Sequence, residues 1–217
     1  MRIATWNIER FRHINELPMI SAYCEQANAD ILVLTEADSR LNLNYKSRFS
    51  TIKPNDEISY KPTETRVTIN TDYELVRQYN TFDEHIAVCV ELNTEIGNLI
   101  VYGTVIGIYG NRHKNFMTDL LRQVEDIERL AKGKNLCVVG DFNLSFADNY
   151  YYTKSGRAAL EEVFMNNEIA ILTREQPECI DHIAVSSEII ADLTAQVSVW
   201  NIDKELSDHK GILVELI

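Results

Sequence analysis

Apolar positions fall in short runs between polar turns along most of the chain. Segment 2-RIATWNI-8 alternates and carries Ile, Thr and Trp, which predicts a strand. Pro18 and the apolar positions Leu17, Ile20, Tyr23 and Cys24 predict a helix from about 16 to 28. The run 31-ILVLTE-36 suits a strand buried on both faces, with Glu36 at its end. Residues 38 to 65 are polar, hold Pro54 and Pro62, and read as loop with short strands. Segments 66-RVTIN-70, 73-YELVRQY-79, 85-HIAVCVEL-92 and 98-NLIVYGTVI-106 read as consecutive strands, with a hairpin signal near Gly97 and Asn98.

The period then changes. Phe116, Leu120, Leu121, Val124, Ile127 and Leu130 form a helical stripe within residues 114 to 132, and Gly133 suits the helix end. Segment 135-NLCVVGD-141 returns to strand, and a second helix of this half is predicted across 155 to 166. Strands 169-IAIL-172, 180-IDHIAVS-186, 195-AQVSVWN-201 and 211-GILVELI-217 follow. No repeat or linker-like tract interrupts the series. The expectation is a single α/β domain over residues 1 to 217, a length sufficient for a real core.

Composition narrows the partners. The formal charge of −12 opposes non-specific, high-affinity binding to a polyanion. It is compatible with a phosphodiester substrate where a bound cation reverses the local field. No apolar run approaches the roughly 20 residues of a membrane helix. The start of the chain is strand-like, not a basic and then apolar leader, so the expectation is a soluble cytoplasmic protein without membrane insertion. Cys24, Cys89, Cys137 and Cys179 are widely spaced, which reads as buried free thiols in a reducing compartment.

Polar residues recur where apolar strands begin or end. Asn7, Glu36, Asp141 with Asn143, Asp181 with His182, and Asp208 with His209 all sit at such positions. Singly, each suits a turn or a solvated strand end. Sheets gather strand ends along a rim, so the set can converge.

In order, the motifs TWN, LTEAD, GDFN, IDHIAVS and SDHKGI resemble those of the endonuclease/exonuclease/phosphatase superfamily, the group with the deoxyribonuclease I-like fold. The resemblance runs from residue 5 to residue 211, with GDFN and SDH its specific parts. It implies a four-layer sandwich, two mixed β-sheets packed face to face with helices outside, and an active site at one end.

The chemistry it implies is metal-assisted attack of water on a phosphate ester. Magnesium, or manganese, neutralises phosphoryl charge through hard oxygen ligands. Glu36 is the implied direct ligand, Asn7 a ligand directly or through water, and Asp208 a further carboxylate. Asp141 would orient or deprotonate the water, and Asn143 would donate to a phosphoryl oxygen. His209 would bond a phosphate oxygen or act as general acid or base. The resemblance assigns Asp181 as the carboxylate that orients His209. His182 alternates away from Asp181 and reads as core, as does Trp6.

The chain departs from the family at the strand before the long helix. Many members end it with a His or Tyr, where this chain has Val105. Tyr109, then His113, are the first candidates to replace that group, with Asn111 and Arg112 in the same loop, 107-GIYGNRHK-114. Arg112 and His113 are equally candidate substrate contacts or plain loop surface.

Two segments are candidates for recognition. Residues 38 to 66 hold Arg40, Lys46, Arg48, Lys53, Lys61 and Arg66. Segment 147-ADNYYYTKSGR-157 holds Tyr150, Tyr151 and Tyr152, which suit stacking on a base or sugar, or packing under their loop. The expected function is a magnesium-dependent phosphodiesterase acting on DNA or RNA, as an endonuclease or exonuclease. The alternatives are a phosphatase on a small phosphate compound, or a protein that binds a phosphorylated ligand with little turnover.

Overall fold

The computed structural model describes residues 1–12, 14–53 and 60–217. Pro54 and the middle of the basic segment lie outside the described residues. Among the described residues the strands are β1 (Arg2–Asn7), β2 (Ile31–Asp38), β3 (Ser47–Ser50), β4 (Glu64–Thr71), β5 (Glu74–Tyr79), β6 (Ala87–Thr94), β7 (Gly97–Val105), β8 (Leu136–Asp141), β9 (Ile169–Ile171), β10 (Asp181–Ser186), β11 (Ala195–Trp200) and β12 (Gly211–Leu216). The helices are α1 (Leu17–Ala27), α2 (Phe116–Ala131) and α3 (Lys154–Asn166).

The first sheet has the order β11-β12-β1-β2-β4-β3 and the second β5-β6-β7-β8-β10-β9. Each is mixed: β1 runs parallel to β2, and β7 parallel to β8, while the remaining pairs are antiparallel. Ile3, Val33 and Ile69 of the first sheet share a core with Val90, Val139 and Ile183 of the second. Helix α1 covers the outer face of the first sheet through Ile20 and Cys24, against Trp6 and Leu34. Helices α2 and α3 cover the second through Leu120, Ile127, Leu160 and Phe164, against Tyr102 and Val138. Strands covered on both faces explain the unbroken apolar runs, and the four layers are those the motifs implied.

Two expectations are corrected. Leu121 is half exposed, while Gln123 and Asp126 take its place on the buried face of α2. They are buried because each has a partner: Gln123 bonds Thr104 Oγ1 and the Val105 carbonyl, and Asp126 accepts from Phe82 N and Tyr102 Oη. Glu36 lies inside β2 rather than at its end, with φ of 45° in the left-handed region. The ladder with β4 passes from Thr35–Val67 to Ala37–Thr65 without pairing it. The hairpin expected near Gly97 and Asn98 is present: β6 turns into β7 through Glu95 and Ile96, and Gly97 follows at φ 95° as the first residue of β7.

All four cysteines are buried and free, as expected. Among the described residues, no helix is long and apolar enough to cross a membrane.

Candidate active site

The topology brings the polar strand ends together. Strand β8 ends at Asp141 and β10 begins at Asp181, and their antiparallel register sets the two opposite each other. Strand β1 ends at Asn7, and β12 begins just after His209. Gly140 is needed for this arrangement. It has φ of 135°, and a Cβ there would lie 2.1 Å from the Thr104 carbonyl oxygen of the neighbouring strand.

His209 Nδ1 donates to Asp181 Oδ2 at 2.5 Å. Burial disfavours the imidazolium, but Asp181 and Asp141 outweigh it and hold the His209 pKa well above its usual value. Asp208 Oδ1 lies 3.4 Å from His209 Nε2, on a side chain that is 69% exposed. Asn7 Nδ2 donates to Asp141 Oδ2 at 3.3 Å, and Asn143 N to Asp141 Oδ1 at 2.8 Å. Burial first, then the charges of Asp181 and Glu36, push the Asp141 carboxyl up, against the opposing pull of His209 and the Asn143 N–H.

Asn143 itself has φ of 52°. Its Nδ2 donates to the Ile106 carbonyl at 3.0 Å, and its own carbonyl accepts from Asn111 Nδ2 at 2.8 Å. The Asn111 amide nitrogen thus supports Asn143, while its Oδ1 is buried without a hydrogen-bond partner among the described residues.

Several supporting residues carry no periodic signal in the sequence. Ser207 Oγ donates to the Asn7 carbonyl at 2.6 Å and accepts from His209 N at 3.1 Å, tying two motifs together. Trp6 Nε1 and Asn201 Nδ2 both donate to the His209 carbonyl, at 3.1 and 2.7 Å. Arg10 Nε lies 3.3 Å from Glu36 Oε2, and Glu9 Oε2 accepts from Asp208 N at 2.9 Å. Ser207 stands in the quoted SDH motif and was legible by adjacency; Asn201 was not legible at all.

Ligand atoms of Asp141, Asp181 and His209 lie within 4.8 Å of one another. Asp181 Oδ1 is buried without a hydrogen-bond partner among the described residues. With Glu36 and the Asn7 carboxamide nearby, the donors are oxygen-rich, and the carboxylates exceed the cations that face them. Burial is the main cause of the upward push on Asp141, and the charges of Asp181 and Glu36 add to it. Such a set fits a hard divalent cation such as magnesium or manganese.

A cavity of about 340 Å³ opens over Asp181, His209 and Asn143, lined also by Tyr109, Tyr150, Tyr151 and Asp208; Asn7, Glu36 and Asp141 do not line it. Arg112 is exposed and His113 half-buried, both outside that lining. The His113 ring packs 4.7 Å from that of Tyr109, and its Nδ1 accepts from Asn115 N. Val105 is buried in the core between the sheets and offers no polar atom to the cavity. His182 faces the helices, as alternation required: Nε2 donates to the Leu144 carbonyl and Nδ1 accepts from Thr173 Oγ1, each at 2.9 Å.

No family model and no curated protein matches the sequence. Solved structures do match in three dimensions. An endonuclease/exonuclease/phosphatase from Beutenbergia cavernae aligns over 100% of this chain and 71% of its own, with a TM-score of 0.74 and 14% identity. An AP endonuclease from Archaeoglobus fulgidus aligns over 100% of this chain and 99% of its own, with a TM-score of 0.73 and 12% identity. A 3′ phosphatase from Neisseria, bound to a product DNA hairpin, aligns over 100% of this chain and 99% of its own, with a TM-score of 0.72 and 17% identity. At this identity the likeness establishes the fold: the chain has the deoxyribonuclease I-like sandwich of the endonuclease/exonuclease/phosphatase proteins.

Proposed function

We propose that the chain is a divalent-metal-dependent phosphoesterase that hydrolyses phosphodiester bonds in nucleic acid. One observation carries this reading. Asn7, Asp141, Asn143, Asp181 and His209, from four separate segments, converge at one end of the sandwich, with the His209–Asp181 bond at 2.5 Å at their centre. A structural role alone does not call for so many buried ionisable groups in one place, since each costs stability unless paired.

Asp141 is the base. Its buried carboxylate has a raised pKa, which suits it to orient an attacking water and take its proton. His209, held protonated against Asp181, presents Nε2–H to a phosphoryl or leaving oxygen. Asn143 Nδ2 holds the Ile106 carbonyl with one N–H at 3.0 Å, and its second N–H, which has only a long 3.5 Å contact to the Gly107 carbonyl, would turn to a phosphoryl oxygen as charge builds there. Glu36 and Asn7 would hold the cation, with Asp208 contributing from the exposed rim, and the ion supplies charge neutralisation at the phosphoryl oxygens. Tyr150 and Tyr151 contact the substrate. Arg112 and His113 do so only through an approach along the outer side of the Tyr109 loop. Tyr109 is the remaining candidate for the group that Val105 cannot supply.

The test is hydrolysis of plasmid DNA, single-stranded oligonucleotides, nucleotide phosphates and inositol phosphates, each with magnesium, manganese or EDTA. Turnover of the nucleic acids in metal, lost in EDTA, is expected. Turnover confined to monoester phosphates would replace this reading with that of a phosphatase.

A further inference from the structure

The cations that the sequence offers for nucleic-acid recognition are not where the cavity is. All three arginines of segment 38–66 are committed to the body of the protein. Arg40 pairs with Asp38 at 2.6 Å. Arg48 donates to the Leu41 carbonyl at 2.7 Å and to Asn70 Oδ1 at 3.1 Å. Arg66 donates to the His85 carbonyl at 3.4 Å and lies 5.2 Å from the Tyr60 ring centroid.

Besides His209, the cations that line the cavity are Lys204 and Lys210, from the loop before β12 and its approach. Lys204 Nζ donates to Tyr150 Oη at 2.8 Å and sits 4.4 Å from that ring's centroid. Lys210 Nζ donates to the Pro177 carbonyl at 3.0 Å, stitching a second loop to the rim. Tyr109 and Tyr150 line the same cavity while remaining 67% and 49% exposed. Glu178 and Asp208 line it too, so its charge does not favour a dense polyanion.

These features select among nucleic acids. An intact duplex hides its base faces in the stack and presents two charged backbones, which a chain of charge −12 with the arginines of segment 38–66 tied down meets poorly. An unpaired strand presents base faces, and exposed tyrosines bind those without regard to sequence. The cavity, about 340 Å³, lies at the small end of the roughly 300–1,000 Å³ usual for ligand pockets and suits one nucleotide unit.

We propose that Tyr109 and Tyr150 act as a stacking jaw that makes the site selective for unpaired nucleic-acid strands over duplex, with Lys204 fixing Tyr150. The proposal rests on the phosphodiesterase reading above, and its test separates the two.

The experiment measures kcat/KM in magnesium for a single-stranded oligonucleotide, its blunt duplex and bis(p-nitrophenyl) phosphate. It uses the unsubstituted protein, Tyr109→Ala, Tyr150→Ala and Tyr150→Phe, with folding checked by circular dichroism. The single strand should exceed the duplex by about tenfold or more, and each alanine variant should lower the ratio of strand to small diester by about fivefold or more. Tyr150→Phe keeps the ring and its contact with the Lys204 ammonium but loses the Oη bond, and should lower the ratio less than Tyr150→Ala does. Equal or better cleavage of duplex, or an unchanged ratio in either alanine variant, would overturn the jaw. Hydrolysis of the small diester without any oligonucleotide turnover overturns the jaw and leaves a phosphoesterase. If nothing is hydrolysed, the phosphoesterase reading fails, and strand binding by fluorescence anisotropy decides the jaw. Weaker binding by Tyr150→Ala supports it, and equal binding overturns it.

Discussion

Two histidines flank the start of β10, one on each face of the second sheet. On the inner side His209 bonds the Asp181 carboxylate at 2.5 Å and is held protonated. On the outer side His182 is wholly buried among Phe142, Phe146, Thr173 and Leu144, and burial lowers its pKa to about 4. Alternation along one strand sends Asp181 inward and His182 outward, so adjacent residues belong to different chemistry. A buried histidine facing neutral hydroxyl and carbonyl groups is a packing residue. One facing two carboxylates and an open cavity is, on the proposed function, the one placed for proton transfer.

The sharpest way to break this comparison is to substitute both sides and read both activity and stability. Asp141→Asn and His209→Ala should each lower turnover by about 10³-fold or more. The melting temperature of Asp141→Asn should barely move, because it removes a carboxylate that burial already disfavours, whereas His209→Ala should lower it by leaving the buried Asp181 carboxylate without its partner. Equal activity in either variant would show that the roles are misassigned. His182→Ala should do the opposite. It should cost about 3 kcal/mol in stability, through an unfilled space and the stranded Thr173 and Leu144 groups, while the folded fraction keeps most of its turnover. Denaturant titration alongside kcat checks it.

The pH dependence of stability sharpens the contrast, because the two rings contribute with opposite sign. The His182 pKa is lowered on folding, so the unfolded chain binds the extra proton. Stability should therefore fall as pH drops from about 6.5 towards 4, by up to ~3 kcal/mol from this residue. His209 is raised, so its contribution is full below the unfolded value and is lost as pH rises through the folded one. Melting curves of His182→Gln should show a shallower decline on the acid side; an unchanged slope would place the titrating group elsewhere.

Magnesium should raise the melting temperature, by an amount corresponding to about 2.7 kcal/mol at one hundred times its dissociation constant, and Glu36→Ala should abolish the shift. A response unaltered in that variant would remove Glu36 from the metal site. The smallest effect is expected for Tyr109→Phe, which keeps the ring and loses the hydroxyl: less than about tenfold in kcat, within the range of one peripheral hydrogen bond. A larger loss would give that hydroxyl the place that Val105 leaves without a polar group.

The sequence made the strands and helices legible because burial on one face or both leaves a periodic trace. It also placed Asp141, Asn143, Asp181 and His209 on a common rim, since each stands beside an apolar run that ends there. What it could not show depends on contacts between distant segments. Glu36 reads as a strand terminus, yet the chain continues to Asp38 past a left-handed residue. Gln123 and Asp126 break the apolar stripe of α2 because their partners lie on other elements. The basic run from Arg40 to Arg66 resembles a nucleic-acid surface until its hydrogen bonds are known. Asn201, with three bonds that shape the His209 loop, lies at the end of an ordinary strand pattern.

The most direct measurement is cleavage of a labelled single-stranded oligonucleotide by the unsubstituted protein in magnesium, in EDTA, and by folded Asp141→Asn in magnesium. Turnover in the first and none in the other two is the predicted result. Undiminished cleavage by Asp141→Asn, or no cleavage by folded protein in magnesium, would contradict the account.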